Sequence, residues 1–87
     1  MTPEPREIRL KRLAMRSMRR GTKEMDILLS RFADARLSGL TDGDLDRYEA
    51  LLDENDQDLY QWISGQLSAP SEHRDMIARI AAEKPQG

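Results

Sequence analysis

The sequence has no cysteine and only one histidine. Without cysteine the chain forms neither a disulfide framework nor a cysteine-ligated zinc site. Its longest apolar runs fall well short of the roughly 18 residues that span a bilayer, so we expect no membrane insertion. The first residues run directly into a charged segment, which is not typical of a signal peptide. We therefore expect a cytoplasmic protein, or a mitochondrial matrix protein if the source is eukaryotic.

The length of 87 residues predicts a single domain, with an ordered core over about residues 6–83 and frayed termini. A domain of this size buries roughly 60–70% of its chain surface, so a cofactor cavity would take up most of the core. This argues against a cofactor enzyme. Since the sequence also offers no set of coupled titrating groups for a catalytic pocket, we predict no catalytic residues, no metal site and no stably bound cofactor, and a protein that is not an enzyme.

Charge is distributed unevenly along the chain. Residues 1–25 hold eight Lys or Arg against three Glu, whereas residues 26–87 hold six Lys or Arg against thirteen Asp or Glu. A basic first segment on an acidic body can steer an acidic partner or nucleic acid. The alternative is that the basic segment pairs with the acidic remainder of the same chain.

Apolar residues recur at helical spacing in five segments, with no alternating strand pattern. This predicts an all-α protein, a compact five-helix bundle with short connections. The first helix is predicted over about residues 6–20 and to end at a left-handed Gly21. Thr22 is predicted to cap the second helix, which Gly39 closes. Thr41 is predicted to cap the third.

The fourth helix is predicted to begin at Asn55 or Asp56, with Gly65 weakening its last turn, and the fifth to begin near Pro70. The residues predicted to face the core are Leu10, Leu13, Ala14 and Met18; Met25, Leu28, Leu29 and Phe32; Leu45, Tyr48, Leu51 and Leu52; Leu59, Trp62, Ile63 and Leu67; and Met76, Ile77, Ile80 and Ala81. We predict that His73 is a partly buried packing residue rather than a ligand.

The segment Arg20-Gly21-Thr22-Lys23-Glu24 is the strongest candidate for a recognition site. It places a guanidinium and a carboxylate at the predicted corner between the first two helices. The Arg20 fork suits a carboxylate or phosphate, and the start of a helix favours the ionised Glu24. The alternative is a helix cap with a local Arg20–Glu24 pair, which is worth little when exposed.

The run Arg19-Arg20-Gly21-Thr22-Lys23-Glu24-Met25-Asp26, followed by Leu28-Leu29 and Phe32-Ala33, resembles the signature of the succinate dehydrogenase flavinylation factors (SdhE-type FAD assembly factors), which carry an Arg-Gly-x-x-Glu motif at this junction. Leu51-Leu52 and Asn55-Asp56-x-Asp58-Leu59-Tyr60-x-Trp62 are similar to a second family segment. The resemblance covers about residues 8–80. One departure is that relatives often have aromatic residues where this chain has Met15 and Met18.

The resemblance implies a non-enzymatic assembly factor, monomeric when free, that binds the flavoprotein subunit of succinate dehydrogenase or fumarate reductase. It implies that the factor promotes covalent attachment of the partner's FAD and holds no flavin of its own. The partner-binding residues that the resemblance implies are Arg20, Gly21, Glu24 and Asp26. We predict that Arg19 and Lys23 join them, with peripheral contacts at Arg16 and Tyr60. On this interpretation, Arg20 and Glu24 contact the partner, and replacing either with alanine leaves the fold intact.

Two other functions compete with this interpretation. An antitoxin-like or regulatory adaptor could use the same Arg-Gly-x-x-Glu corner to bind a different protein. A nucleic-acid-binding module could use the basic first helix, although the acidic remainder of the chain argues against nucleic acid as a partner.

Overall fold

The computed structural model describes residues 4–83, which form five α-helices joined by short connections. The helices are α1 Arg6–Met18, α2 Lys23–Arg36, α3 Asp42–Leu52, α4 Asp56–Ile63 and α5 Ser71–Ala82, with a 3-10 turn Leu37–Gly39 after α2. No strand occurs in residues 4–83, so the predicted all-α class is confirmed. The prediction of frayed termini lies largely outside the described residues, and the single domain stays a prediction.

Side-chain oxygens cap the starts of three helices. Thr22 accepts from the Met25 N–H at 3.2 Å, Thr41 from the Asp44 N–H at 3.1 Å, and Asn55 from the Gln57 N–H at 2.8 Å. Each bond satisfies a backbone donor that has no partner within its own helix. The caps predicted at Thr22 and Thr41 are confirmed, and Asn55, not Asp56, caps α4.

The prediction of a left-handed Gly21 is wrong. Among the described residues, Gly65 alone has a positive φ, of 85°. It lies just after α4 and ends that helix rather than weakening its last turn. Helix α1 ends at Met18, before the predicted boundary, and α2 gives way to a 3-10 turn before it reaches Gly39.

All five helices contribute to one hydrophobic core. The buried apolar side chains are Leu13, Met25, Leu29, Phe32, Ala33, Leu37, Leu40, Leu45, Tyr48, Leu51, Leu52, Leu59, Ile63, Ala69, Met76, Ile77 and Ile80. Met18 and Leu67, which were predicted to be buried, are 53% and 55% exposed. Leu67 lies beyond the end of α4 at Ile63, so it has no position on the buried face of that helix.

Ser17 takes the buried position that was predicted for Met18. With Leu10, Leu13 and Ala14 it falls at i, i+3, i+4 and i+7, so it completes the inward stripe of α1. Its hydroxyl donates to the Leu13 carbonyl at 2.8 Å and lies 2.6 Å from the hydroxyl of Tyr48. Both side chains are fully buried, and burial raises the pKa of Tyr48 to about 12.

Helix α1 is joined to α3 by a series of ion pairs, here called the arginine ladder. Its members are Arg6 with Asp42, Arg9 with Asp46 and Glu49, Arg12 with Glu49, and Arg16 with Asp53, at 2.6–3.1 Å. One pair from each of the four arginines spans 36 or 37 residues of sequence. The two helices therefore run parallel. For these four arginines, the alternative that the basic segment pairs with the acidic remainder of the same chain is confirmed.

We expect Tyr48→Phe to lower the free energy of unfolding by about 1 kcal/mol at pH 7, because one buried hydrogen bond is lost. In the wild type, tyrosine in the unfolded chain loses its proton near pH 10, before the folded Tyr48 does near pH 12. The folded state therefore loses stability as the pH rises from about 10 to about 12. Urea denaturation at several pH values measures both effects.

The matched control is Tyr60→Phe, since the Tyr60 side chain is on the surface. Tyr60→Phe is expected to keep the alkaline fall in stability that Tyr48→Phe loses. Identical pH profiles for the two variants would contradict the assignment of this effect to Tyr48.

Candidate functional site

The connection between α1 and α2 lies against the connection between α3 and α4, and the Asp56 carboxylate joins them. Oδ1 of Asp56 accepts from Nε of Arg20 at 2.8 Å and lies 2.5 Å from Nη2. Oδ2 accepts from the Gly21 N–H at 2.5 Å. Asp56 is the first residue of α4, where the helix N-terminus favours a negative charge. We call this arrangement the Arg20–Asp56 clamp.

The Arg20 guanidinium also binds the end of α3. Nη1 donates to the carbonyl oxygen of Leu52, the last residue of α3, at 3.2 Å, and to that of Arg16 at 3.4 Å. Nη2 donates to the carbonyl oxygen of Glu54 at 3.4 Å. A cation is favourable at a helix C-terminus, where carbonyl groups lack partners. Arg20 thus holds the end of α1, the end of α3 and the start of α4 together.

The structure corrects the prediction that Arg20 presents a free guanidinium at the surface. Its side chain is 11% exposed and that of Asp56 is 14% exposed. Because α1 ends at Met18, Arg20 lies in the connection, where it faces the α3–α4 junction. No Arg20–Glu24 ion pair forms among residues 4–83. A direct contact between Arg20 and a partner stays a prediction.

Gly21 permits the close approach of the backbone to Asp56. A Cβ atom at this position would lie 3.2 Å from Oδ2 of Asp56, tighter than ordinary van der Waals contact. A side chain here would therefore require the Asp56 carboxylate to shift by a few tenths of an ångström. The need for glycine comes from this contact, not from a left-handed backbone.

The other predicted site residues are more open to solvent. Arg19, Lys23 and Glu24 are exposed, and within residues 4–83 none of them takes part in an ion pair. Asp26 is half-buried and accepts a long hydrogen bond from the Ser30 hydroxyl at 3.5 Å. The groups available to a partner are therefore mainly the neighbours of Arg20.

Two hollows are lined by residues of this corner. The first, of about 340 Å³, is here called the basic hollow and is lined by Met15, Arg16, Arg19 and Arg20. The second, of about 430 Å³, is here called the amide groove and is lined by Thr22, Glu24, Asp56, Gln57, Tyr60, Gln61 and Gln66. Both predicted peripheral residues, Arg16 and Tyr60, line these hollows.

His73, which was predicted to be a partly buried packing residue, is buried. It is 4% exposed, its Nε2 lies 3.0 Å from Oε2 of Glu54, and its ring lies 5.8 Å from that of Trp62. Glu54, Glu72 and His73 bring ligand-type atoms within 4.8 Å of one another. The contact with Glu54 gives Nε2 a partner within the chain, and Glu72 is largely exposed; that His73 is not a ligand stays a prediction.

Sequence reasoning missed Asp56 as the partner of Arg20. The spacing of the charges could have revealed it, because Arg20 and Asp56 are 36 residues apart. The pairs of the arginine ladder have the same sequence separation, of 36 or 37 residues. The ladder also pairs four of the basic residues on which the nucleic-acid alternative depended, Arg6, Arg9, Arg12 and Arg16. None of the described helices combines the length and the hydropathy that crossing a membrane requires.

Comparison with known proteins identifies relatives of the chain. Residues 11–84 match the model of the family described as Sdh5, flavinator of succinate dehydrogenase. The chain is 51% identical over 63 residues to the mitochondrial succinate dehydrogenase assembly factor 2 of Meyerozyma guilliermondii, a match covering 72% of this chain and 47% of that protein. Proteins of the same name from Debaryomyces hansenii and Mycosarcoma maydis are 48% and 41% identical, over 72% and 78% of this chain and 44% and 29% of theirs. The chain thus spans less than half the length of these relatives.

We expect Arg20→Ala to lower the free energy of unfolding by about 3 kcal/mol, because it leaves the largely buried Asp56 without its cation. Urea denaturation measures this change. Arg19→Ala is the matched control, since it removes the neighbouring exposed arginine, and its effect is expected to stay below about 0.5 kcal/mol. Equal effects of the two substitutions would contradict the structural role of the clamp.

Proposed function

The chain belongs to the Sdh5 family, the flavinators of succinate dehydrogenase, and from this membership we propose that it promotes covalent attachment of FAD to the flavoprotein subunit of succinate dehydrogenase or of fumarate reductase. The match over residues 11–84 is the observation that carries the proposal. In this role the chain is an assembly factor that acts on the FAD of its partner and holds no flavin of its own.

We place the docking surface at the corner between α1 and α2. The clamp fixes the backbone of Arg20 and Gly21 against α4, so the neighbouring exposed groups are held in a defined arrangement. Arg19, Lys23 and Glu24 supply charges within reach of a partner. Met15 and Met18 add apolar surface, being 54% and 53% exposed, and methionine adapts well to irregular surfaces.

The proposed mechanism is one of positioning. Covalent flavinylation requires a histidine of the flavoprotein to lie close to its flavin, and holding two groups in reactive geometry supplies a large part of the rate enhancement. A small domain that binds one arrangement of the flavoprotein more tightly than the others shifts the population toward that arrangement. The reacting groups then all belong to the partner.

Arg20 acts in this scheme chiefly as a positioning residue. Its guanidinium is occupied by Asp56 and by three backbone carbonyls, so its loss would disorder the surface rather than remove a single contact. Glu24 is exposed and is the member of the motif that is free to meet a partner.

We propose that the chain acts as a monomer in the compartment of its flavoprotein client. The relatives compared above are named as mitochondrial proteins.

The proposal predicts that the protein raises the amount of covalent flavin in a purified apo-flavoprotein subunit supplied with free FAD. Flavin fluorescence in a denaturing gel measures the product. Gly21→Val is expected to lower the yield, because its Cβ atom would lie 3.2 Å from Oδ2 of Asp56 and would shift the carboxylate that holds the clamp.

Gly39→Val is the matched control, since a Cβ atom at Gly39 meets nothing within 4 Å. It should support flavinylation as the wild type does. No stimulation by the wild type would overturn the proposed function. Equal activity of the two glycine variants would overturn the placement of the docking surface.

A further inference from the structure

The amide groove has a composition that indicates what it binds. It lies between the first turn of α2 and the outer face of α4, and Gln57, Gln61 and Gln66 contribute three amide side chains to its lining. Each amide offers two N–H donors and one carbonyl acceptor. Such a surface matches the alternating donors and acceptors of a polypeptide backbone. Tyr60, which is 40% exposed, adds an aromatic wall with a polar tip.

The available charge of this groove is negative. Its lining holds two carboxylates, of Glu24 and Asp56. Asp56 is already bound by Arg20 and Gly21, and the Thr22 hydroxyl caps α2. Glu24 is exposed and has neither an ion pair nor a side-chain hydrogen bond within residues 4–83. A ligand in the groove therefore meets one carboxylate with its full acceptor capacity.

We propose that the amide groove binds a segment of the flavoprotein subunit that carries a lysine or arginine, whose cation pairs with Glu24. This inference rests on the proposed function and specifies the chemistry of its contact. The glutamine amides bind the main chain of the segment, and Tyr60 packs against the stem of the cationic side chain, since such stems cover apolar surface readily.

The charge of the basic hollow supports this assignment. The basic hollow carries Arg16 and Arg19, and Arg19 has no ion pair within residues 4–83. The available charges of the two hollows are therefore of opposite sign, on residues that precede Gly21 in the basic hollow and on Glu24, which follows it, in the amide groove. A partner that places a cation in the amide groove and an acidic group near Arg19 can dock in only one orientation, because reversing it brings like charges together.

The test is a titration of the apo-flavoprotein subunit with fluorescently labelled wild-type or variant chain at several salt concentrations. Glu24→Gln keeps the size of the side chain and removes its charge. We expect its Kd to be about tenfold higher or more, with a weaker dependence on salt than for the wild type. An unchanged Kd together with an unchanged salt dependence would overturn the inference.

Glu7→Gln is the matched control, because Glu7 is also an exposed glutamate in the first turn of a helix. Any general effect of the substitution on helix stability is therefore common to both variants. The Kd of Glu7→Gln should equal that of the wild type. A loss of binding equal to that of Glu24→Gln would assign the effect to helix electrostatics and overturn the inference.

Charge exchange identifies the opposing group. Glu24→Arg is expected to abolish binding, and a single Lys→Glu or Arg→Glu substitution on the flavoprotein subunit is expected to restore it. If no single reversal restores binding, the cation pair is excluded. Flavinylation assays separate the two proposals. If the wild type and Glu24→Arg are both fully active, the proposed binding to the amide groove is wrong but the proposed function stands. If the wild type is inactive, the proposed function is wrong.

Discussion

The Arg20–Asp56 clamp is the interaction on which the shape of the corner depends. One carboxylate receives the guanidinium of Arg20 and the backbone N–H of Gly21, so two successive residues are fixed by a single side chain. The same guanidinium binds the last carbonyl of α3. A largely buried pair is costly to break because the remaining charge loses its partner. The exposed charges beside it are therefore displayed from a rigid base.

The arginine ladder extends the same constraint along α1. Each pair is partly exposed, as in Arg6–Asp42 and Arg16–Asp53, and such pairs contribute little individually. Together they set the register between two parallel helices, because shifting α1 by one residue would misalign every pair. The core then holds the helices together, while the ladder and the clamp determine which end of α1 faces the α3–α4 junction.

Helical periodicity was sufficient to predict the five helices, most of the core and two of the three caps. It failed where a polar residue was buried with its own hydrogen bonds, since Ser17 replaced Met18 on the inner face of α1. It also failed at Arg20, because a local pair with Glu24 is visible in the sequence whereas a contact with Asp56 depends on how the helices assemble. The segment from Arg20 to Glu24 does lie at the junction of the first two helices, as predicted, but the division of its residues between interior and surface required the structure.

The exposed methionines give the corner a chemical sensitivity that the interior lacks. Met15 and Met18 lie open to solvent, whereas Met25 and Met76 are buried. Oxidants convert methionine to the sulfoxide, which turns a flexible apolar side chain into a polar one. Mild peroxide would therefore alter the surface of α1 while leaving the helical core intact, and methionine sulfoxide reductases would reverse the change.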